Sequence, residues 1–369
     1  MSEFLLEGQV DDALLSSGSL LDLRAPCEFV QGTLPGSVNL PILNNEERAM
    51  VGTIYKEQGP EAAKALGHQL VSGETKFARV QSWVEFIQSH PNCAIFCFRG
   101  GLRSQIAQTW LGELGYFVPR LKGGYKWGRS FFLQGLNDFC QQQRLLIVSG
   151  ATGSGKTKLL GELSSPHPTL DLEGLACHRG SAFGGHGKEQ PSQIDFENSI
   201  AQQMMIIRRS AFSNPVILED ESRLIGQRIV PGPLFESMRR SPVVIVSESL
   251  KSRARTIFDD YILSSPLNIE ANSYDPSAAG LLMERYRNAA QRISRRLGGV
   301  RTAHVLFLMD KAWEDQQMSG HMETHGLWIE FLLKEYYDPM YESSLERRSP
   351  RVLFQGSRSE VLAYLEESL

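Results

Sequence analysis

The chain has 369 residues, 41% of them hydrophobic and 22% charged, with a formal net charge of −4. That length exceeds a usual single core and predicts two or three folded units. Residues 1–140 hold 12 basic against 14 acidic side chains and the remainder 26 against 28, which excludes a globally basic nucleic-acid binder and leaves RNA contact to a local patch.

No apolar run approaches membrane-spanning length, and Met1-Ser2-Glu3-Phe4-Leu5-Leu6-Glu7 lacks the basic and apolar regions of a signal peptide. The five cysteines (27, 93, 97, 140 and 177) form no Cys-x-x-Cys pair and are odd in number, as expected of a reducing cytoplasm. Cys93 and Cys97 lie too far apart along an extended strand for a disulfide, and no zinc site is readable.

In chain order, Leu21-Asp22-Leu23-Arg24 leads through Glu28-Phe29 to a turn at Pro35-Gly36 and then Asn39-Leu40-Pro41. Arg24 and Glu28 are the expected ion pair, and the stretch reads as scaffold. Asn92–Phe96 reads as a buried strand, and Ser104–Leu111 as a helix with apolar residues at helical spacing. Between them lies Cys97-Phe98-Arg99-Gly100-Gly101-Leu102-Arg103-Ser104, a thiol set at a helix N-terminus. Gly100 and Gly101 let amides turn inward, and Arg99 and Arg103 add positive charge that favours a thiolate. The stretch 121–128 reads as a turn before a helix over 131–140, and a unit boundary is expected near Gln141-Gln142-Gln143.

Arg144–Ser149 is a short apolar strand followed by Gly150-Ala151-Thr152-Gly153-Ser154-Gly155-Lys156-Thr157, a complete phosphate loop, and by a helix. The glycines let amides surround an oligophosphate, Lys156 reaches its terminal groups and Thr157 is placed to ligate magnesium. Nucleoside triphosphate is the default ligand, but any diphosphate fits the same loop. Residues 171–184 read as a short strand and a Gly-rich loop in which His178, Arg179 and Ser181 either clamp a second anion or are structural. Val216-Ile217-Leu218 and Val243–Val246 suit buried parallel strands. Glu219-Asp220-Glu221 follows the first of these, where a metal-directed carboxylate belongs, with Glu219 and Asp220 favoured. Residues from about 275 onward are mostly helical in pattern. There Arg285, Arg287, Arg292, Arg295, Arg296 and Arg301 make a one-sided basic segment around Tyr286, read as an RNA-backbone contact; Arg223, Arg228, Arg239 and Arg240 are the alternative.

Residues 21–41 resemble the N-terminal signature of the rhodanese (sulfurtransferase) family, and Cys97 stands where its sulfur-carrying cysteine would. The Cys-x5-Arg spacing is shared with rhodanese-related phosphatases, but those carry His before the cysteine where this chain has Phe96. The order of motifs resembles one family over nearly the whole chain, the bacterial tRNA 2-selenouridine synthases, in which a rhodanese domain precedes a phosphate-loop domain. Asn45–Lys56, Leu172–Ala176 with His178–Ser181, and Glu219–Gly226 share in the resemblance. Family members carry Trp and Met where this chain has Phe98 and Leu102.

The resemblance implies an α/β protein: a rhodanese-like domain over 1–140, a parallel-sheet phosphate-loop domain over 141–275, and a mainly helical region over 276–369 packed on the latter. It implies S-geranylation of a wobble 2-thiouridine with geranyl diphosphate, then replacement of the geranylthio group by selenium from selenophosphate. Cys97 would accept selenium or assist its attack, with Phe98–Ser104 cradling the donor; Lys156 and Thr157, with magnesium through Thr157 and Asp220, would hold the diphosphate. The implied partners are tRNA and a selenophosphate-producing enzyme, in the cytoplasm, with no membrane. Two other classes fit the residues: a sulfurtransferase coupled to an ATP-dependent kinase or adenylating module, and an anion-sensing regulatory protein. Intact Cys97 and Lys156 argue against the sensor.

Overall fold

In the computed structural model, which describes all residues except 1–2, 6–9, 11–12, 16–19, 164–166, 186–188, 211–213, 266–274 and 369, the chain forms two compact units. The first comprises Met1–Phe139 with Pro191–Ser210, the second Cys140–Gln190 with Ala211–Leu369.

The first unit is built on a three-stranded parallel sheet. Its strands β1 (Leu20–Asp22), β2 (Ser37–Asn39) and β3 (Ala94–Phe96) lie in the order β2-β1-β3. Strands β1 (Leu-Leu-Asp) and β3 (Ala-Ile-Phe) are buried throughout, as strands covered on both faces must be. One core cluster joins them to the helix Gly73–Ser89, where Trp83 stacks on Trp110 at 6.2 Å and its Nε1 donates to the Leu40 carbonyl at 2.9 Å. The helix Asn45–Gln58 starts at a capping box in which Asn44 and Glu47 satisfy each other's backbone amides.

The helix Gln193–Arg209 falls in sequence inside the expected phosphate-loop domain but belongs to the first unit. Phe196, Ile200 and Met204 form its buried stripe. Thr33 N–H donates to Asp195 Oδ1 (2.7 Å), Asn198 Nδ2 donates to the Thr33 carbonyl (2.6 Å) and Arg129 pairs with Glu197. Gly32 is required here, because at φ +148° a Cβ would collide with Ile194. The expected turn at 121–128 is also shorter than read. Gly123 and Gly124, both at positive φ, complete it, and a helix runs from Gly124 to Gln142.

The second unit has a five-stranded parallel sheet of β4 (Leu145–Ser149), β5 (Thr169–Leu170), β6 (Val216–Glu219), β9 (Val243–Val246) and β10 (Val352–Gly356). A small hairpin, β7 (Leu224–Ile225) with β8 (Arg228–Ile229), lies between β6 and β9 in sequence. The order β10-β9-β4-β6-β5 places β4 where the winding reverses, the position at which open parallel sheets bind ligands. Strands β4, β6 and β9 are apolar runs buried at every residue. Strand β10 is an exception within the mostly helical residues past 275: it pairs with β9 and extends the sheet. The short strand read within 171–184 is instead a single helical turn, Leu172–Leu175, capped by Asp171, whose Oδ1 accepts from Gly174 N–H at 2.8 Å. The helices between Pro276 and Leu332 enclose a separate core around Met283, Met309, Trp328 and Leu332, while Val361 and Leu365 of the last helix, Arg358–Ser368, pack on the sheet.

Candidate functional sites

In the first unit Cys97 directly follows β3. Its side chain is 3% exposed, with Sγ 3.4 Å from Ser104 Oγ and 3.9 Å from the Gly101 carbonyl. The loop closes on the N-terminus of the helix Gly124–Gln142: Tyr125 and Lys126 donate their amides to the Cys97 and Phe98 carbonyls, both at 2.9 Å. Gly124, at φ +58°, makes this approach possible, since a Cβ there would strike the Cys97 carbonyl. Phe98, Arg99, Gly101 and Leu102 form the exposed rim, with Gly100 intermediate, over the buried thiol.

The charges in this cradle are distributed differently from the sequence expectation. Arg24 does not pair with Glu28. It lies buried, bound to Asp22 at 2.6 Å and to the Gly32 carbonyl at 2.9 Å, with its guanidinium 3.8 Å from the Tyr125 ring centre. Glu28 takes Arg103 instead, through contacts of 2.6 and 3.2 Å. Burial alone would raise the Glu28 carboxyl, but the Arg103 hydrogen bond and charge reverse that and hold it below the usual range. Arg103 is therefore largely committed to the scaffold, and Arg99 is the exposed cation at the rim.

In the second unit the phosphate loop joins β4 to the helix Lys156–Glu162, with Lys156 Nζ donating to the Gly150 carbonyl at 3.0 Å. Gly153 (φ +82°) lies against the helix Leu250–Phe258, where a Cβ would come within 2.7 Å of the Arg253 carbonyl and 2.9 Å of Ile257. Arg253 binds Asp338 at 2.6 Å and the Thr152 carbonyl at 3.3 Å, tying the loop to the C-terminal helices.

Glu219 ends β6, is 4% exposed and carries one carboxylate oxygen with no partner, while its neighbours are Lys156 and the Thr157 hydroxyl. Oxygens of Glu173, Glu219 and Glu221 all lie within 4.8 Å of one another. Gly180, at φ +49°, admits two of them, because a Cβ there would sit 2.5 Å from Glu173 and 2.9 Å from Glu221. Burial, followed by the neighbouring carboxylates, pushes Glu173 up to about 9. Burial is also the main cause that raises Glu221 to about 7, and it raises Glu219, against the pull of Lys156. Asp220, expected to face a metal, is instead occupied: one oxygen accepts from Ser149 Oγ at 2.7 Å and the other from Arg348 at 2.6 Å. The carboxylate beside Thr157 is Glu219.

Both features open into one cavity of about 830 Å³, a volume suited to a small organic ligand. One part is lined by the phosphate loop, the three glutamates, Arg179 and Ser181; the other by Phe183, Ile257, Tyr261, Trp328, Ile329, Leu332, Leu333 and Tyr337. Two π-helical segments, Asp259–Leu263 and Leu333–Tyr337, supply part of the second wall, a distortion recurrent at functional sites. Of the expected anion clamp, Arg179 and Ser181 reach the cavity. Arg179 binds the Asp260 carbonyl at 3.1 Å, and Ser181 Oγ lies 3.1 Å from the Tyr261 hydroxyl. His178 is outside the lining and forms a backbone bridge with Gly185.

A family model described as the tRNA 2-selenouridine synthase AAA domain matches residues 143–369. A tRNA 2-selenouridine synthase of Nitrosomonas europaea is 45% identical, covering 94% of this chain and 94% of its own length. Those of Bdellovibrio bacteriovorus (46%, 92% of each chain) and Pseudomonas fluorescens (44%, 96% of each chain) match over similar spans. The chain belongs to the tRNA 2-selenouridine synthase family. It is accordingly an enzyme, and no described helix is long and apolar enough to cross a membrane.

In this family member the arginine segment is not one helix. The helix Pro276–Arg292 ends near Ile293, a short turn spans Ser294–Leu297, and Gly298 at φ +89° starts the helix Gly299–Ser319. Arg285, Arg292, Arg295 and Arg296 are exposed, whereas Arg287 pairs with Asp310 and Arg301 with Glu335. Tyr286 is not a surface ring among them; it is 4% exposed and donates to the Tyr261 carbonyl at 3.0 Å. Glu173, Glu221 and the apolar wall escaped selection in sequence. The run Trp328–Tyr337 carries the only signal, and an apolar helix reads equally as core.

Proposed function

We propose that the chain converts 2-thiouridine of tRNA to 2-selenouridine in two steps, the first being S-geranylation in the second unit. The observation that supports this is the joining of a phosphate loop and an apolar aromatic wall in one cavity. An adenine ring needs donors and acceptors along its edge. The only polar atom of Trp328 is already committed to His325, and Ile257, Ile329, Leu332 and Leu333 have none. The Tyr261 hydroxyl faces Ser181; with the Tyr337 hydroxyl as the one remaining polar atom, this wall suits a hydrocarbon better than a base edge.

In the first step the 2-thio sulfur attacks the first carbon of geranyl diphosphate; the C–S bond forms as the C–O bond breaks, and diphosphate leaves with the electron pair. Lys156 and the loop amides are placed to take up that charge. The hard oxygen donors Thr157 and Glu219, with Glu173 and Glu221 close by, fit magnesium, and the unpartnered buried oxygen of Glu219 is the kind of group a cation satisfies. Magnesium bound there would supply further charge neutralisation for the diphosphate.

For the second step, the parallel sheet with Cys97 at the end of β3 supports a rhodanese-like assignment of the first unit. Selenophosphate, delivered by a selenophosphate-producing enzyme, would enter under the rim of Arg99. Selenium of selenophosphate attacks C2 of the base; the C2–Se bond forms as the C2–S bond breaks and geranylthiol leaves. Water cleaves the Se–P bond to release phosphate, and the Cys97 thiol assists by giving a proton to the departing sulfur. The exposed Arg285, Arg292, Arg295 and Arg296 would hold tRNA phosphates.

Nucleoside mass spectrometry tests the scheme. Purified protein with 2-thiouridine tRNA and geranyl diphosphate should yield S-geranyl-2-thiouridine, and 2-selenouridine once selenophosphate is added. Turnover of ATP with no geranylation would overturn it in favour of a kinase or adenylating module.

A further inference from the structure

We propose that Trp328 closes the apolar end of the phosphate-loop cavity and sets the length of prenyl chain that the enzyme accepts. The proposal rests on the geranylation reading and identifies the residue that makes the site selective. Trp328 lines the cavity with Ile329, Leu332 and Leu333, and all four are at most 2% exposed, so the enclosed part of the lining is apolar.

Trp328 packs on buried residues outside the cavity lining: Tyr286, whose ring lies 5.8 Å away centre to centre and which is pinned to the Tyr261 carbonyl, and His325. Phe183, 6.0 Å away, lines the cavity beside it. The indole is also locked in orientation. Trp328 Nε1 donates to His325 Nδ1 at 3.0 Å, which requires the proton of the neutral imidazole on Nε2, and that atom faces Gln316 Oε1 at 2.8 Å. Both His325 and Gln316 are completely buried. Such a relay has no contact with substrate; its effect is to remove rotational freedom from the indole. A length ruler needs that rigidity, because a side chain free to swing would let a longer chain pass. Removing the indole opens space of several carbons in the wall, toward Tyr286 and His325.

The test is competitive S-alkylation of 2-thiouridine tRNA with dimethylallyl, geranyl and farnesyl diphosphates, using wild type, Trp328→Ala, Trp328→Phe and His325→Leu. Wild type should favour geranyl over farnesyl by at least tenfold. Trp328→Ala should shift that ratio toward farnesyl by tenfold or more, Trp328→Phe by less, and His325→Leu should relax it by freeing the ring. Affinity for inorganic diphosphate, measured alongside, reports that the phosphate loop of each variant is folded. Unchanged chain-length preference in folded, alkylating Trp328 variants overturns the proposal alone. A wild-type enzyme that binds inorganic diphosphate but alkylates with no prenyl donor overturns the geranylation reading and this inference with it. Should Trp328→Ala fail to fold, the Phe and His325 variants carry the same comparison.

Discussion

The two units build the same kind of loop and differ in everything around it. Each places a glycine-bearing loop between a buried parallel strand and a helix, Cys97–Ser104 after β3 and Gly150–Thr157 after β4. In the first unit the surroundings are local and their charges already matched, with Glu28 on Arg103 and Asp22 on Arg24. In the second unit the surroundings are remote in sequence and unmatched: three crowded carboxylates on one side, and a wall from helices more than a hundred residues downstream on the other. A loop of this type offers its amides to an anion. The walls decide what else a ligand would have to be.

The sharpest break between the units is expected from Cys97→Ala. It should abolish selenium incorporation into tRNA while leaving S-geranylation in place, as read by nucleoside mass spectrometry; Cys27→Ala and Cys140→Ala should change neither. Selenium incorporation at the wild-type rate by Cys97→Ala would falsify a reactive role for this thiol. Lys156→Ala is the complementary variant. Losing a charge-assisted contact to phosphate costs about 1.5–3 kcal/mol, or roughly 10- to 150-fold in affinity for geranyl diphosphate by calorimetric titration. Equal affinity in mutant and wild type would remove the phosphate loop from the alkylation step.

A smaller effect is expected from Arg292→Glu with Arg296→Glu. Each neutralised phosphate releases about 0.9 counterion, so this pair should weaken tRNA binding and flatten its salt dependence without altering geranyl diphosphate affinity. Filter binding across a salt series decides it, and an unchanged slope would move the RNA site to Arg223, Arg228, Arg239 and Arg240.

The smallest expected effect contrasts the acids of the two units by pH. Glu173 has a folded value raised from 4.5 to about 9, so it destabilises the fold progressively as pH rises above 4.5 and fully above about 9. Glu28 is the reverse case, burial being outweighed by Arg103; its contribution is present above 4.5 and is lost as pH falls through its lowered folded value. His325, which burial pushes down to about 4, adds a slope of its own below 6.5 and cancels when variant and wild type are compared at one pH. Without metal, Glu173→Gln should therefore melt a few °C above wild type at pH 8 and with little difference at pH 5. Glu28→Gln should melt below wild type at pH 8, with the gap closing only in acid. A Glu173→Gln gain that is independent of pH would sink the assignment.

Both loops and the central strands were legible from residues 1–250 because each signal is contiguous. A glycine-rich loop between an apolar strand and a helix carries its chemistry within about a dozen residues, and Cys97, Lys156 and Thr157 needed no distant partner to be recognised. What escaped was whatever depends on side chains meeting across the fold. Local spacing suggested Arg24 with Glu28 and a metal near Asp220. The tertiary structure instead gave Glu28 to Arg103, 75 residues away, and Asp220 to Arg348, 128 residues away. It also moved the helix Gln193–Arg209 into the first unit and strand Val352–Gly356 into the second sheet, because an apolar stripe specifies that a face is buried but not against what. The same ambiguity hid Trp328. A buried aromatic at helical spacing looks identical whether it packs a core or walls a cavity, and only the folded positions of Gly153, Ile257 and the two π-helical segments place it in the same cavity as the phosphate loop.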